Sequence, residues 1–145
     1  MSVGPAGAAN DLAWDDLPVG AERSVTTPVT REDVAEFARL SGDHSPIHVD
    51  EAAAREMGFV GVVAHGALIA ARVSAVIGMQ LPGRRGVLQS LDLQFRHPLI
   101  PPADIQITVI VAGRSDAVRQ LRLQVTVTDA SGTVLVSGKA SSIVR

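Results

Sequence analysis

The spacing of hydrophobic residues changes once along the chain, from a helical pattern to a strict alternation. From Gly66 to Met79 the residues are apolar on nearly every side and rich in alanine. Such a segment is typical of a helix packed into the interior of a protein. The pattern therefore predicts a helix over residues 66–79 that is buried on most sides and is ended by Leu81-Pro82-Gly83.

Beyond residue 90, apolar and polar residues alternate, which indicates strands with one buried face. The alternating runs are 91–96, 105–111, 121–128 and 134–144, and an earlier run at 22–27 is a candidate fifth strand. Turn-forming residues separate the later runs, at 97–102, 113–116 and 129–132. Connections of hairpin length predict an antiparallel meander with one apolar face. Wrapping this face around the apolar helix gives an α+β fold for residues 13–145, preceded by a disordered tail, residues 1–12.

Two shorter helices are predicted ahead of the long one. Thr30 and Asp33 form a capping pattern before apolar residues at helical spacing, which predicts a helix over residues 31–41 that ends at Gly42. Asp50 is the expected cap of a second helix, 51–57, which Gly58 ends. The segment between these helices is the chemically richest part of the sequence.

Composition argues against several classes of function. The 145 residues suit one domain, and a formal net charge of -2 with one Trp, three Phe and no Tyr gives no basis for binding nucleic acid. The absence of Cys removes disulfides and thiolate chemistry, and fits a reducing compartment. The N-terminus lacks a signal-peptide pattern, and His65 and Arg72 interrupt the apolar stretch after Gly58, so no membrane span is predicted. The default expectation is a cytoplasmic protein.

The segment from Asp43 to His48 places a carboxylate and an imidazole close together. Gly42 and Pro46 disfavour a regular helix, so we predict a tight non-helical loop that holds two groups able to transfer protons. Each residue alone also fits a structural role, Asp43 as a turn cap and His48 as a buried histidine. A metal site from Asp43, His44 and His48 is conceivable by residue type, but the tight loop and the lack of further ligands argue against it.

The pattern Gly42-Asp43-x-Ser45-Pro46-x-His48, followed later by Ala64-His65-Gly66, resembles the MaoC-like dehydratases and (R)-specific enoyl-CoA hydratases. The family motif has Asn where this chain has Ser45, and the other fixed positions match. The resemblance covers residues 17–145 and implies the hot-dog fold, in which an antiparallel sheet wraps a central helix. It also implies a homodimer joined edge to edge, and chemistry that needs no metal or organic cofactor.

The resemblance implies a role for each matching residue. Asp43 and His48 are the expected catalytic pair, which activates a water for addition to a trans-2-enoyl thioester. Gly66 is expected to offer its backbone N–H to the thioester carbonyl, and Ser74 to assist the catalytic carboxylate. Ser74 also fits a hydrogen bond to the carbonyl of residue 70, and His65 also fits a structural role before the helix. The expected substrate-binding residues are Ser45, Pro46, His65, Met57, Phe59 and Leu68, with Met79 as a further candidate for the tunnel end.

Two functions compete with an enoyl-CoA hydratase. One is an acyl-carrier-protein dehydratase of fatty acid or polyketide synthesis, and the other is a non-catalytic hot-dog subunit, which would usually lack Asp or His. A hot-dog thioesterase is disfavoured by the spacing of Asp43, Pro46 and His48. Four arginines are candidates to meet CoA phosphates and fit equally well as solvated surface charges: Arg72, Arg84, Arg85 and Arg96. The sequence does not predict the acyl chain length.

Overall fold

The computed structural model describes residues 7–145, so residues 1–6 of the predicted disordered tail lie outside the described residues. In the rest of that tail, the Asn10 backbone N–H donates to the Met79 carbonyl at 2.8 Å. The Asp11 carboxylate accepts a hydrogen bond from Arg85 at 2.5 Å. Asn10 and Asp11 are therefore bonded to the domain near the end of the long helix, and the extent of the disordered tail stays a prediction.

The described chain has five strands and four α-helices, after a short 3₁₀ turn at Trp14–Asp16. In chain order the elements are β1 (Glu22–Val29), α1 (Arg31–Ser41), α2 (Pro46–Val49), α3 (Glu51–Glu56), α4 (Gly66–Met79), β2 (Gly86–Phe95), β3 (Ala103–Ser115), β4 (Gln120–Asp129) and β5 (Val134–Val144). None of the described helices is both long enough and apolar enough to cross a membrane.

The five strands form one antiparallel sheet in the order β1-β3-β4-β5-β2. The predicted meander is correct for β3, β4 and β5. It is wrong for β2, which pairs with β5, so residues 96–102 cross over from one edge of the sheet instead of forming a hairpin. Alternation identifies a strand but not its neighbour, because pairing is decided by contacts distant in sequence.

The core lies between α4 and the apolar face of the sheet. Residues at every second position of β3 and β4 are at most 1% exposed: Ile105, Ile107, Val109, Val111, Leu121, Leu123, Val125 and Val127. They belong to one cluster with Leu68, Ile69, Val73, Val76 and Ile77 of α4. Burying one such side chain contributes roughly 1.5–3 kcal/mol, so this contact dominates the fold.

The predicted burial of α4 on most sides is only partly correct. One face packs on the sheet, but a stripe of small residues is exposed on the opposite face: Ala67, Ala71, Ala75 and Gly78. Alanine and glycine side chains have little apolar area and occur both in cores and on surfaces. The sequence therefore did not indicate which face of α4 would be exposed.

The helices α1 and α2 carry the predicted acid–base segment. The Thr30 hydroxyl accepts from the Asp33 N–H at 3.0 Å and the Thr30 N–H donates to the Asp33 carboxylate at 2.9 Å, which confirms the predicted cap of α1. Gly42 ends α1 with a φ of 79°. The loop is shorter than predicted, because Pro46 starts α2 at the first helical position, where a missing N–H costs nothing.

Candidate active site

The Asp43 carboxylate is held by bonds within its own loop. Its Oδ1 accepts the Ser45 backbone N–H at 3.1 Å, and the Asp43 N–H donates to the Ser41 hydroxyl at 3.1 Å. The Ser41 hydroxyl in turn donates to the Phe37 carbonyl at 2.6 Å, which ties the loop to the end of α1. The Asp43 side chain is half exposed, so a ligand can reach its second oxygen.

The imidazole of His48 faces this carboxylate from α2. Its Nδ1 lies 2.6 Å from the Val63 carbonyl. Because a carbonyl only accepts, Nδ1 is the donor in this contact, and in a neutral imidazole Nε2 is then the nitrogen with the lone pair. Nε2 lies 3.8 Å from Asp43 Oδ2, too far for a direct hydrogen bond and suited to a water held by both groups.

His65 lies behind the pair. It is 1% exposed, and its Nε2 lies 3.0 Å from the Asp43 backbone carbonyl. Its ring stacks on that of His48, with centroids 3.8 Å apart and an angle of 21° between the planes. It does not line the cavity and its side chain is buried, which fits the alternative structural role, and a substrate-binding role for His65 stays a prediction.

A cavity of about 310 Å³ opens beside His48 and the N-terminus of α4. Its lining comes from two parts of the chain, which are residues 48, 63, 64, 66 and 69 on one side and 95–99 on the other. The segment before α4 is held from both sides, since the Val63 N–H donates to the Ile47 carbonyl and the Ala64 N–H donates to the Leu99 carbonyl. The crossover after β2 therefore completes a wall of the site.

Gly66 is the first residue of α4, and it lines this cavity. The first N–H groups of a helix have no partner within the helix and lie at the positive end of its dipole. Within the described residues, the Gly66 N–H donates to no protein acceptor. A side chain here would meet Phe95, since an added Cβ would lie 3.2 Å from its ring. The glycine thus allows close packing at this point.

Of the site residues expected from the sequence, His48 and Gly66 line the cavity, and Asp43 lies beside His48 outside this lining. Ser74 is half-buried, and among the described residues its hydroxyl makes no hydrogen bond to the carbonyl of residue 70. Leu68 belongs to the core, Phe59 is half-buried, and the remaining side chains are exposed: Ser45, Pro46 and Met57. The roles of these residues toward a substrate stay predictions.

The structure separates the four candidate arginines. Arg72 pairs with Asp33 at 3.0 Å, and Arg84 and Arg85 pair with Asp11. Arg96 instead lines the cavity, with its Nε donating to the Ser137 hydroxyl at 2.7 Å.

Most of the second cavity wall, including Phe95, His97 and Leu99, was not predicted from the sequence. These residues lie at and after the end of β2, which is an edge strand of the sheet. No local pattern signals that placement.

The site does not suit a metal ion. Asp43, His48 and His65 have potential ligand atoms within 4.8 Å of one another. The two imidazoles are nearly parallel, however, so their in-plane lone pairs run side by side and do not converge. The His65 Nε2 also faces the Asp43 carbonyl, which leaves it the donor in that contact.

The sheet over a central helix, with an acid–base pair and the Gly66 N–H beside one cavity, defines a hot-dog protein with an enzyme-like site. The sequence profile of the MaoC like domain matches residues 18–133. The chain therefore belongs to the MaoC-like domain family, as the motif predicted.

Named relatives agree with this assignment. The chain is 36% identical to a 3-hydroxybutyryl-CoA dehydratase of Methylorubrum extorquens, over 79% of this chain and 73% of that protein. It is 32% identical to an (R)-specific enoyl-CoA hydratase of Rhodospirillum rubrum, over 94% and 96%. Among solved structures, the unliganded R-hydratase PhaJ1 of Pseudomonas aeruginosa superposes with a TM-score of 0.85 at 29% identity, covering 90% of this chain and 84% of that one.

Proposed function

We propose that this protein is an (R)-specific enoyl-CoA hydratase, which adds water across the double bond of a trans-2-enoyl thioester and catalyses the reverse dehydration of a 3-hydroxyacyl thioester. The observation that carries the proposal is the separation of 3.8 Å between His48 Nε2 and Asp43 Oδ2, with His48 and Gly66 both lining the adjacent cavity. The relatives named as enoyl-CoA hydratase and 3-hydroxybutyryl-CoA dehydratase support the same substrate class.

Hydration needs a base for water, a proton for the α-carbon and a donor for the carbonyl oxygen. In our proposal Asp43 and His48 hold one water, and the His48 lone pair takes its proton as the oxygen bonds to the β-carbon. The electron pair of the double bond moves toward the thioester carbonyl, which becomes an enolate. The Gly66 N–H and the α4 dipole stabilise that charge. The proton taken up by the pair then reaches the α-carbon, which restores both residues.

The CoA carrier gives Arg96 a role in this proposal. Of the four candidate arginines, Arg96 lines the cavity, and its bond to Ser137 leaves the rest of the guanidinium available for a phosphate. We expect Arg96→Ala to raise KM for crotonyl-CoA and to leave KM for crotonyl-pantetheine, which lacks phosphates, unchanged. Arg23→Ala is the control, since Arg23 is exposed on β1 at the opposite edge of the sheet. An equal effect on both substrates would contradict this role.

The edges of the sheet favour a homodimer formed through β2. Strand β1 carries Pro28 and charged residues, which disfavour edge-to-edge pairing. Strand β2 has no proline, and it leaves Val87 52% exposed and Phe95 52% exposed. Sedimentation equilibrium should show a dimer that Val87→Lys weakens. The matched control is Val118→Lys, because Val118 is 59% exposed in the β3–β4 turn. Equal weakening by both variants would count against the β2 edge.

The direct test of the function is the loss of enoyl-thioester absorbance when purified protein meets crotonyl-CoA. We expect loss of the band and a product that chiral analysis identifies as the (R) isomer of 3-hydroxybutyryl-CoA. An (S) product would contradict the stereochemical assignment. No loss with crotonyl-CoA or longer enoyl-CoAs, but loss with an enoyl thioester of acyl-carrier protein, would favour the carrier-protein dehydratase. No loss with any of these would overturn the proposal.

A non-catalytic hot-dog subunit is the weaker alternative. Such a subunit needs no acid–base pair, whereas this chain has both groups facing each other. The cytoplasmic location stays a prediction from the sequence.

A further inference from the structure

We infer that His65 is a positioning residue that orients both members of the catalytic pair, an inference that rests on the proposed hydratase function. Three contacts carry it, which are a hydrogen bond to the Asp43 backbone, a ring stack on His48 and an edge contact with Phe37. No substrate contact is involved, because His65 is 1% exposed and lies outside the lining of the cavity.

The hydrogen bond acts on Asp43. Since the Asp43 carbonyl only accepts, His65 Nε2 donates across 3.0 Å. The other hydrogen bonds of Asp43 among the described residues stay within its own loop, at Ser41 and Ser45. His65 therefore connects this exposed loop to the start of α4 and sets where the carboxylate lies relative to Gly66.

The ring stack acts on His48. The orientation of the His48 imidazole depends on two side-chain torsions. The hydrogen bond from Nδ1 to the Val63 carbonyl fixes the position of one ring atom, but the ring can still rotate about the axis of that hydrogen bond. The His65 ring, 3.8 Å away and inclined by 21°, restricts this rotation. The two contacts together aim Nε2 at Asp43 Oδ2, where the proposed water lies.

The surroundings of His65 favour a role beyond packing. Its second nitrogen, Nδ1, is buried and has no hydrogen-bond partner among the described residues. Phe37 packs against the ring edge, with centroids 4.9 Å apart. A phenyl ring would fill the same place without a desolvated nitrogen. Packing alone therefore favours phenylalanine here, and what histidine adds is the donor to Asp43.

Three substitutions separate the two contacts. His65→Ala removes both, His65→Phe keeps a ring on His48 and His65→Gln keeps an amide donor for Asp43. Displacement of a reacting group by about 1 Å costs on the order of 100-fold. We therefore expect His65→Ala to lower kcat for crotonyl-CoA about 100-fold with KM nearly unchanged, and the Phe and Gln variants each to recover part of that loss. His44→Gln, on the exposed loop, is the control and should behave like the wild type.

The readouts distinguish positioning from simple stability. Urea unfolding measures the folded fraction, and NMR of the His48 ring protons reports the stacked neighbour without any substrate. We expect His65→Gln to move the His48 signals and His65→Phe to keep a ring-current shift. Wild-type kcat in the Phe and Gln variants, or His48 signals that no variant moves, would overturn the inference. An inactive wild type would instead refute the proposed function, and the NMR outcome would still decide the position of His48.

Discussion

The two members of the proposed catalytic pair are held in opposite ways. Asp43 lies in an exposed loop, and among the residues that the structure describes its side chain and N–H form hydrogen bonds only to Ser41 and Ser45. His48 is half-buried and held by Val63 and His65, which follow it by 15 and more residues. The carboxylate is thus placed by local geometry and the imidazole by tertiary contacts, and His65 connects the two. Substitutions in the two regions should therefore differ in what they change.

The largest effect outside the pair is expected at Gly66, on the tertiary side of the site. Proline at this first helical position would remove the N–H, and His65 already has the extended conformation, φ -57° and ψ 135°, that a residue before proline prefers. Losing one oxyanion donor typically costs about 10²–10³ in kcat. We therefore expect a loss of that size for Gly66→Pro with crotonyl-CoA.

Gly66→Ala is the matched control, because it adds a Cβ toward Phe95 but keeps the N–H. Its loss should be much smaller than that of the proline variant. Equal losses in the two variants would mean that the space beside Phe95 matters and the donor does not.

An effect on stability is expected at Gly42, where the loop that holds Asp43 begins. Gly42 has a φ of 79° and open space where a Cβ would lie, so Gly42→Ala meets backbone strain but no clash. We expect the free energy of unfolding to fall by about 1–2 kcal/mol in urea titrations. Gly78→Ala in α4 also meets open space, but Gly78 is helical, so it should gain roughly 0.5–1 kcal/mol. A shift of the same sign in both variants would disprove the strain argument.

A small effect on activity is expected at Ser45, where the family motif has Asn. The bond from Ser45 to the Asp43 carboxylate comes from the backbone N–H and does not depend on the side chain. We therefore expect Ser45→Asn to have similar or higher kcat/KM for crotonyl-CoA. A large loss would show that the local loop depends on the serine hydroxyl.

The smallest effect concerns a second carboxylate held in the same local way. Asp129 Oδ1 accepts the Ser131 N–H two residues on, and the Ser131 hydroxyl is the main cause of a lowered Asp129 pKa. A pKa below the unfolded value near 3.8 stabilises the folded state above that pH, and this contribution disappears as the pH falls through the folded pKa. Asp129→Asn should flatten the loss of stability below about pH 4 in acid titrations. If Asp129→Asn lost stability below pH 4 as steeply as the wild type, the stabilising role of the Asp129 carboxylate would be contradicted.

The difference between local geometry and tertiary contacts also explains which features could be predicted from the sequence. The cap at Thr30, the end of α1 at Gly42 and the bounds of α4 depend on neighbouring residues, and all are confirmed. The pairing of β2 with β5 was missed because nothing near β2 encodes it. The same long-range pairing brings Phe95 and Arg96 to the cavity. The burial of His65 behind the pair also depends on tertiary packing.

The measurement that tests the central claim most directly is a double-mutant cycle on the pair, with crotonyl-CoA hydration as the readout. General acid–base groups typically contribute about 10²–10⁴ in rate, so Asp43→Asn and His48→Ala should each lose kcat in that range. Because both residues act on one water, the double variant should lose little more than the worse single variant. Wild-type activity in either single variant, or losses that multiply in the double variant, would contradict the account.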